Sequence, residues 1–207
     1  MPSRLRPFPA GFIEPCLPTA ARVPPSGPGL VHEIKHDGYR LMARLEGRRT
    51  RRLFSRRGHD WTERFPRIRA ALAVLRARSA TMDGEAVVCC PKTGLSLFDR
   101  LHSGRHDGEV VLYAFDLLEL NSLDLRPLPI EERKAKLAAL IAPLATGILL
   151  SEHIEDDVAI VFRHACRLGC EGIVSKRRDA PYRSGRVQTW IKVKNPASLA
   201  MARVLER

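Results

Sequence analysis

Strand-like and helix-like stretches follow one another irregularly along this chain, and that irregularity restricts its fold more than any other feature. Short apolar or β-branched runs at residues 31–35, 40–45, 50–55, 82–89, 110–117, 172–176 and 189–193 read as strands. Helical spacing is confined to three segments. Ile68, Leu72 and Leu75 predict a helix over 63–78 with Pro66 in its first turn. Ile130, Leu137 and Leu140 predict another over 129–140, where Glu131 and Glu132 suit the positive N-terminal end. A third is expected over 157–168, stopped by Gly169. The turn Glu46-Gly47-Arg48 joins two of the strands into a hairpin beside Lys35, and the glycines at 94, 104 and 108 mark a loop. Regular β-α alternation is absent, which excludes a doubly wound sheet. The expected class is α+β, with mainly antiparallel sheets flanked by helices.

Eight prolines fall within residues 1–30, at 2, 7, 9, 15, 18, 24, 25 and 28. Each fixes φ and removes a backbone donor, so this segment is expected to lie as an extended arm against the domain that begins at Val31. The chain carries 35 Lys and Arg against 23 Asp and Glu, a net charge of +12. That excess suits a polyanionic partner such as nucleic acid, although a high-GC genome also enriches arginine. No apolar run reaches the ~18 residues of a membrane span, and residues 1–9 lack the apolar core of a signal peptide. A cytoplasmic chain without membrane contact is expected. Five cysteines without a second Cys or His pair at zinc spacing point to free, buried thiols in a reducing compartment.

The chemistry starts from Lys35-His36-Asp37-Gly38-Tyr39-Arg40, a K-x-D-G-x-R string. An amine, a carboxylate, a flexible turn and a guanidinium lie close together there, a set suited to attack on a nucleotide phosphate. An ordinary lysine is protonated at neutral pH, so Lys35 needs burial or neighbouring cations, for which Arg40, Lys192 and Lys194 are candidates. Taken alone, the string is equally readable as a surface Asp-Gly turn. Further strings follow in order: Asp83-Gly84-Glu85, Phe115-Asp116, Glu171-Gly172-Ile173-Val174-Ser175-Lys176 and Trp190-Ile191-Lys192-Val193-Lys194. With these the chain resembles the covalent nucleotidyltransferases, most closely the adenylation domain of ATP-dependent DNA ligases of the bacterial end-joining type. Pro28-Gly29, Ser55-Arg56-Arg57-Gly58, Asp60 to Pro66 and Tyr182 to Arg186 fit the same subgroup.

The resemblance implies an ATP-grasp-like nucleotidyltransferase fold and a division into a proline-rich arm (1–30), an adenylation domain (31–195) and a short tail (196–207). It implies Lys35 as the AMP-accepting nucleophile, with Asp37 and Arg40 ordering the site and Arg40 reaching the ribose. Glu85 would bind ribose or a metal–water shell, and Glu171 would help hold Mg2+ or Mn2+. Phe115 would stack on adenine, Val174 would close the other face, and Glu33 with the Ile34 backbone would read the base edge. Lys192 and Lys194 alternate with Val193, so on a strand both face the α-phosphate. Arg56 would contact the 5′-phosphate of nicked double-stranded DNA. Trp190 is expected in packing, and His36 and His59 without a role.

Ligases of this type continue into an OB-fold domain that orients pyrophosphate and clamps DNA. Only thirteen residues follow Lys194, too few for a five-stranded barrel. The expectation is a minimal or partial protein, or one whose partner supplies that domain, acting as a monomer at the bacterial nucleoid. A noncatalytic DNA-end-binding module and an RNA ligase or capping-type guanylyl transferase share enough of these features to stand as alternatives.

Overall fold

The computed structural model describes residues 12–47 and 50–205, so the start of the proline-rich arm and part of the turn after Gly47 lie outside the described residues. Two sheets face each other. The first runs in the order β4 (Thr50–Ser55), β3 (Tyr39–Glu46), β5 (Ser79–Val87), β6 (Val111–Leu120) and β7 (Leu123–Asp124), with β8 (Ile148–Leu150) also on β6. The second runs β1 (Cys16–Ala21), β11 (Gly185–Lys194), β10 (Gly172–Arg177), β2 (Leu30–Lys35) and β9 (His153–Ile154). Pairing is antiparallel except at β1–β11 and β6–β8. The α+β expectation with mainly antiparallel sheets therefore holds.

The strand nearest the middle explains why its sequence is so apolar. β5 and β6 are covered on both faces; β6 reads as a nearly continuous apolar run, while β5 alternates, with Ser79, Thr81, Asp83 and Glu85 on one face and Ala80, Met82 and Ala86 on the other. On one face lies the largest core, including Leu41, Leu53, Ile68, Leu72, Met82, Leu112, Leu117 and Leu137. On the other face, between the sheets, Val31, Met42, Phe115, Leu118, Tyr182 and Trp190 form a second cluster. A third cluster sets α4 (Val158–Arg167) against the outer face of the second sheet through Val161, Ala165 and Ile173.

The helices begin where their caps dictate. Pro66 opens α1 (Pro66–Ala73), and Pro129 immediately precedes α3 (Ile130–Ile141). At α4 the Asp157 side chain accepts from the amides of Ala159 and Ile160, and Gly169 leaves the helix at φ +80. α1 is shorter than the sequence predicts. It ends at Ala73 because the chain must turn into β5 at Ser79, and Leu75 stays buried through that turn. The loop expected after β5 contains a short helix, α2 (Phe98–His102), and a 3-10 turn at Asp107–Glu109. The proline-rich arm is extended, as expected, and part of it is a strand. β1 forms the edge of the second sheet, and its register shifts between Pro18 and Thr19, a position where proline interrupts pairing least. All five cysteines are free, but only Cys16 is fully buried. No helix among the described residues is long and apolar enough to cross a membrane.

Gly172 joins α4 to the second sheet at φ +148, and a Cβ there would lie 2.0 Å from the carbonyl oxygen of Val193. Gly172→Ala is expected to destabilise the chain by about 2–4 kcal/mol, read as a lower urea midpoint with unchanged m-value.

Candidate active site

Strand register in the second sheet brings Lys35, Glu33, Val174, Lys192 and Lys194 together. β2, β10 and β11 align Lys35 with Gly172 and Lys194, Glu33 with Val174 and Lys192, and Val31 with Lys176 and Trp190. Side chains two residues apart share a face, so all three rows point toward the first sheet. Glycine in the first row leaves room between two lysines. Their shared partner is Glu171: Lys35 Nζ donates to its Oε2 at 2.5 Å, and Lys194 Nζ lies 3.4 Å from Oε1.

After Lys35 the chain crosses between sheets through Asp37 and Gly38. A Cβ on Gly38 would come within 2.2 Å of the Ala86 carbonyl oxygen, so the turn can press against β5 only with glycine there. That close approach brings Arg40 and Glu85, paired across β3 and β5, to the cleft holding Lys35. The Glu85 carboxyl is pushed up to about 7 by burial, with Lys35 and Arg40 opposing and Glu171 and Asp83 adding to the rise. Lys192 is held below its ordinary value by burial first, then by Lys35, Lys194, Arg186 and Arg56. Four cations, Lys35, Lys194, Arg186 and Arg56, therefore gather around the Lys192 amine.

Two connected cavities meet at Lys35, Arg40, Glu85 and Pro18. The narrow one, about 70 Å³, is lined by Glu33, Ile34, Phe115, Val174, Lys176 and Trp190, where the sequence places the base. The wide one, about 960 Å³, carries Arg56, Arg57, Arg186 and Lys192. Arg56 thus faces the same basin as Lys35. Arg40 donates to Asp83 at 2.6 and 2.7 Å, and its guanidinium lies 4.3 Å from the Phe115 ring centre.

Two candidates have partners that the sequence did not announce. Glu33 is buried, with Oε1 accepting from Lys134 at 2.9 Å and Lys176 at 2.7 Å, and Oε2 accepting from Ser151 at 3.0 Å. Burial alone would raise its pKa; Lys176 and Lys134 outweigh that and hold it below the ordinary carboxylate value. Asp37 pairs with Arg203 of α5 (Leu199–Leu205), and Arg203 also lies over Phe98. His36 stacks on Tyr113 at 4.1 Å, and burial lowers its pKa to about 4, which keeps a neutral ring beside Lys35. Trp190 is core, as expected.

Sequence reading missed Lys176, Lys134, Tyr182 and Arg203. Lys176 was within reach, since it follows Val174 by two residues on the same strand face. Its ammonium sits 4.5 Å from Phe115 and 4.1 Å from Trp190 ring centres, and burial lowers its pKa to about 8 against the pull of Glu33. Lys134 sits 101 residues from Glu33, with no local pattern to betray the contact.

Residues 24–194 match the family model for the ATP dependent DNA ligase domain. The chain belongs to that family. The multifunctional non-homologous end joining protein LigD of Pseudomonas aeruginosa is 41% identical over 191 residues, which are 88% of this chain and 22% of that protein. The LigD protein of Mycobacterium tuberculosis is 35% identical over 164 residues, 79% of this chain and 21% of that one. Among solved structures, mycobacterial DNA ligase D complexed with ATP and MES superposes with a TM-score of 0.76 at 32% identity, covering 88% of this chain and 60% of that one. The Chlorella virus DNA ligase-adenylate, at 17% identity and a TM-score of 0.62 over 89% of this chain and 69% of that one, shares the fold. This ligase domain therefore spans about a fifth of the curated LigD relatives.

Glu33→Gln leaves two buried lysines facing a neutral amide and is expected to cost about 3–5 kcal/mol in urea unfolding at pH 7. The wild type carries the matching pH dependence. Because the folded-state pKa of Glu33 is depressed, its stabilisation is present above about 4.5 and is lost as pH falls from there toward the folded value. Denaturant melts between pH 7 and 3 should show that loss in the wild type and a shallower one in Glu33→Gln.

Proposed function

We propose that this ligase domain forms a covalent lysyl-AMP at Lys35 and passes the AMP to the 5′-phosphate of nicked DNA in end-joining repair. The observation carrying this reading is the Lys35 amine, 2.5 Å from a buried carboxylate and on the same sheet face as Lys192 and Lys194. Before attack, Lys35 Nζ releases to solvent the proton that an ordinary lysine holds at neutral pH, and Glu171 keeps its carboxylate for the cations of the site. The freed Nζ attacks the α-phosphorus of ATP; an N–P bond forms, the α–β bridging P–O bond breaks, and pyrophosphate leaves. Lys192 and Lys194 meet the charge that builds on the α-phosphate oxygens. A nick 5′-phosphate oxygen then displaces Lys35 from phosphorus, and the 3′-hydroxyl attacks that 5′-phosphate, sealing the strand and releasing AMP.

The base lies between Phe115 and Val174, with Glu33 and the Ile34 backbone at its edge, Arg40 at the ribose and Asp37 steadying the turn. Arg56 in the wide basin takes the nick phosphate, and the net charge of +12 favours DNA in general. Glu85 makes no ion pair among those recorded for the described residues and stands half-buried where the two cavities meet, which suits a carboxylate that receives a cation. Glu85 and Glu171 would hold Mg2+ or Mn2+, which supplies charge neutralisation for the phosphates when bound. We assign residues 31–195 to the adenylation domain, with 1–30 as arm and 196–207 as tail. A partner protein supplies an OB-fold domain in this reading, and the protein works as a monomer in the cytoplasm at the nucleoid.

Incubation with α-labelled ATP and Mg2+ or Mn2+ should give an acid-labile labelled chain, with the label absent from Lys35→Ala and outcompeted by ATP but not by GTP. Absence of label under every metal condition, with an OB-fold ligase domain added, would falsify the reading. Salt-sensitive nick binding unchanged by Lys35→Ala, with no adenylate formed, would instead mark a noncatalytic end-binding module.

A further inference from the structure

One buried hydroxyl, that of Tyr182, has no part in the reaction as described. Tyr182 is 4% exposed and lies in the segment between β10 and β11. Its hydroxyl accepts from the Cys16 amide at 2.8 Å and donates to Asp83 Oδ2 at 2.6 Å. Asp83 is wholly buried and receives Arg40 through Nε and Nη2 at 2.6 and 2.7 Å. Arg40 Nη2 returns to the Cys16 carbonyl at 3.1 Å. The ring closes through β1, Tyr182, β5 and β3, and so spans both sheets across the nucleotide cleft.

The geometry has a direct physical meaning. A bidentate pair fixes the plane of a guanidinium against its own carboxylate, but β3 and β5 belong to the same sheet. Tyr182 and Cys16 tie that pair to the opposite sheet, which bears Lys192 and Lys194. Trp190 packs edge-on to both Tyr182 and Phe115, with ring centres 6.0 and 5.9 Å away, so the phenol cannot swing without disturbing the cleft wall. Burial first, and then Asp83, raise the phenol well above its ordinary pKa, so it remains an O–H donor.

We propose that Tyr182 is a positioning residue for the nucleotide: through Asp83, and anchored on the Cys16 backbone, it holds the Arg40 guanidinium at the ribose of bound ATP. The proposal rests on the ligase reading, and it makes the proline-rich arm part of the nucleotide site. Asp83 carries two strong hydrogen bonds on Oδ2, and removing the phenol hydroxyl frees that carboxylate to rotate with Arg40 attached.

The test is the ATP dependence of lysyl-AMP formation in the full chain. Tyr182→Phe is expected to raise KM for ATP about tenfold with kcat within about twofold of wild type. With 2′,3′-dideoxyATP, which offers Arg40 no ribose hydroxyl, the variant and wild type are expected to agree within about twofold. An unchanged KM for ATP overturns the proposal, and so does an equal rise on both nucleotides, which would mark general loosening. Should Tyr182→Phe lose cooperative unfolding, Asp83→Asn weakens the ring from its other side and must show the same ribose-dependent rise. Independently, exchange of the Arg40 Nε–H with water in 15N spectra should quicken at least about tenfold in Tyr182→Phe; unchanged exchange also overturns the ring. A wild-type chain that forms no lysyl-AMP defeats the ligase reading, while the Arg40 exchange still decides the fate of Tyr182.

Discussion

The interior between the two sheets holds buried carboxylates, each paired with one or two cations. Glu33 binds Lys134 and Lys176, Asp83 binds Arg40, and Asp116 binds Arg133 at 2.7 and 2.8 Å. Arg133 is completely buried and also donates to the carbonyls of Leu128 and Ala180. Charges removed from water are costly unless paired and hydrogen-bonded. Here they are paired, and through Lys134 and Arg133 the pairs tie α3 to β2 and to the segment between β10 and β11. An apolar interface would pack as well but would not orient a guanidinium or an ammonium toward a cleft.

This arrangement connects stability to chemistry. Three of these paired groups, Glu33, Lys176 and Arg40, also line the narrow cavity, so the base and ribose would meet side chains already locked by partners. Lys35 differs. Its partners are Glu171, in the turn before β10, and through it Lys194 of β11, and its side chain is 21% exposed. The nucleophile therefore sits at the mouth where narrow and wide cavities join, facing the base on one side and the arginine-bearing basin on the other. A group that must accept AMP and hand it on needs access to both.

Much of this was legible from spacing. Seven strands and three helices were visible because apolar periods are local, whereas the arm strand β1, the short β7, β8 and β9, and the helices α2 and α5 were not; Lys192 and Lys194 were assigned one face because β11 alternates. Lys35, Glu171 and Lys194 were named from ordered strings. What was not legible were the contacts across more than a hundred residues: Glu33 with Lys134, Tyr182 with Cys16, and Arg203 with Asp37. The helix α1 was overread because Leu75 keeps helical spacing while lying in a turn.

The sequence by itself determined the α+β character, the order of the strands along the chain and the residue types at the site, because these follow from local periodicity and from short strings. Which strands become neighbours is a different matter. β10 lies between β2 and β11, and that register sets Lys35 and Lys194 on either side of Gly172 with Glu171 between their amines. Only the tertiary structure decided that, because strand pairing and buried charge pairs depend on distances between segments that the linear order leaves open.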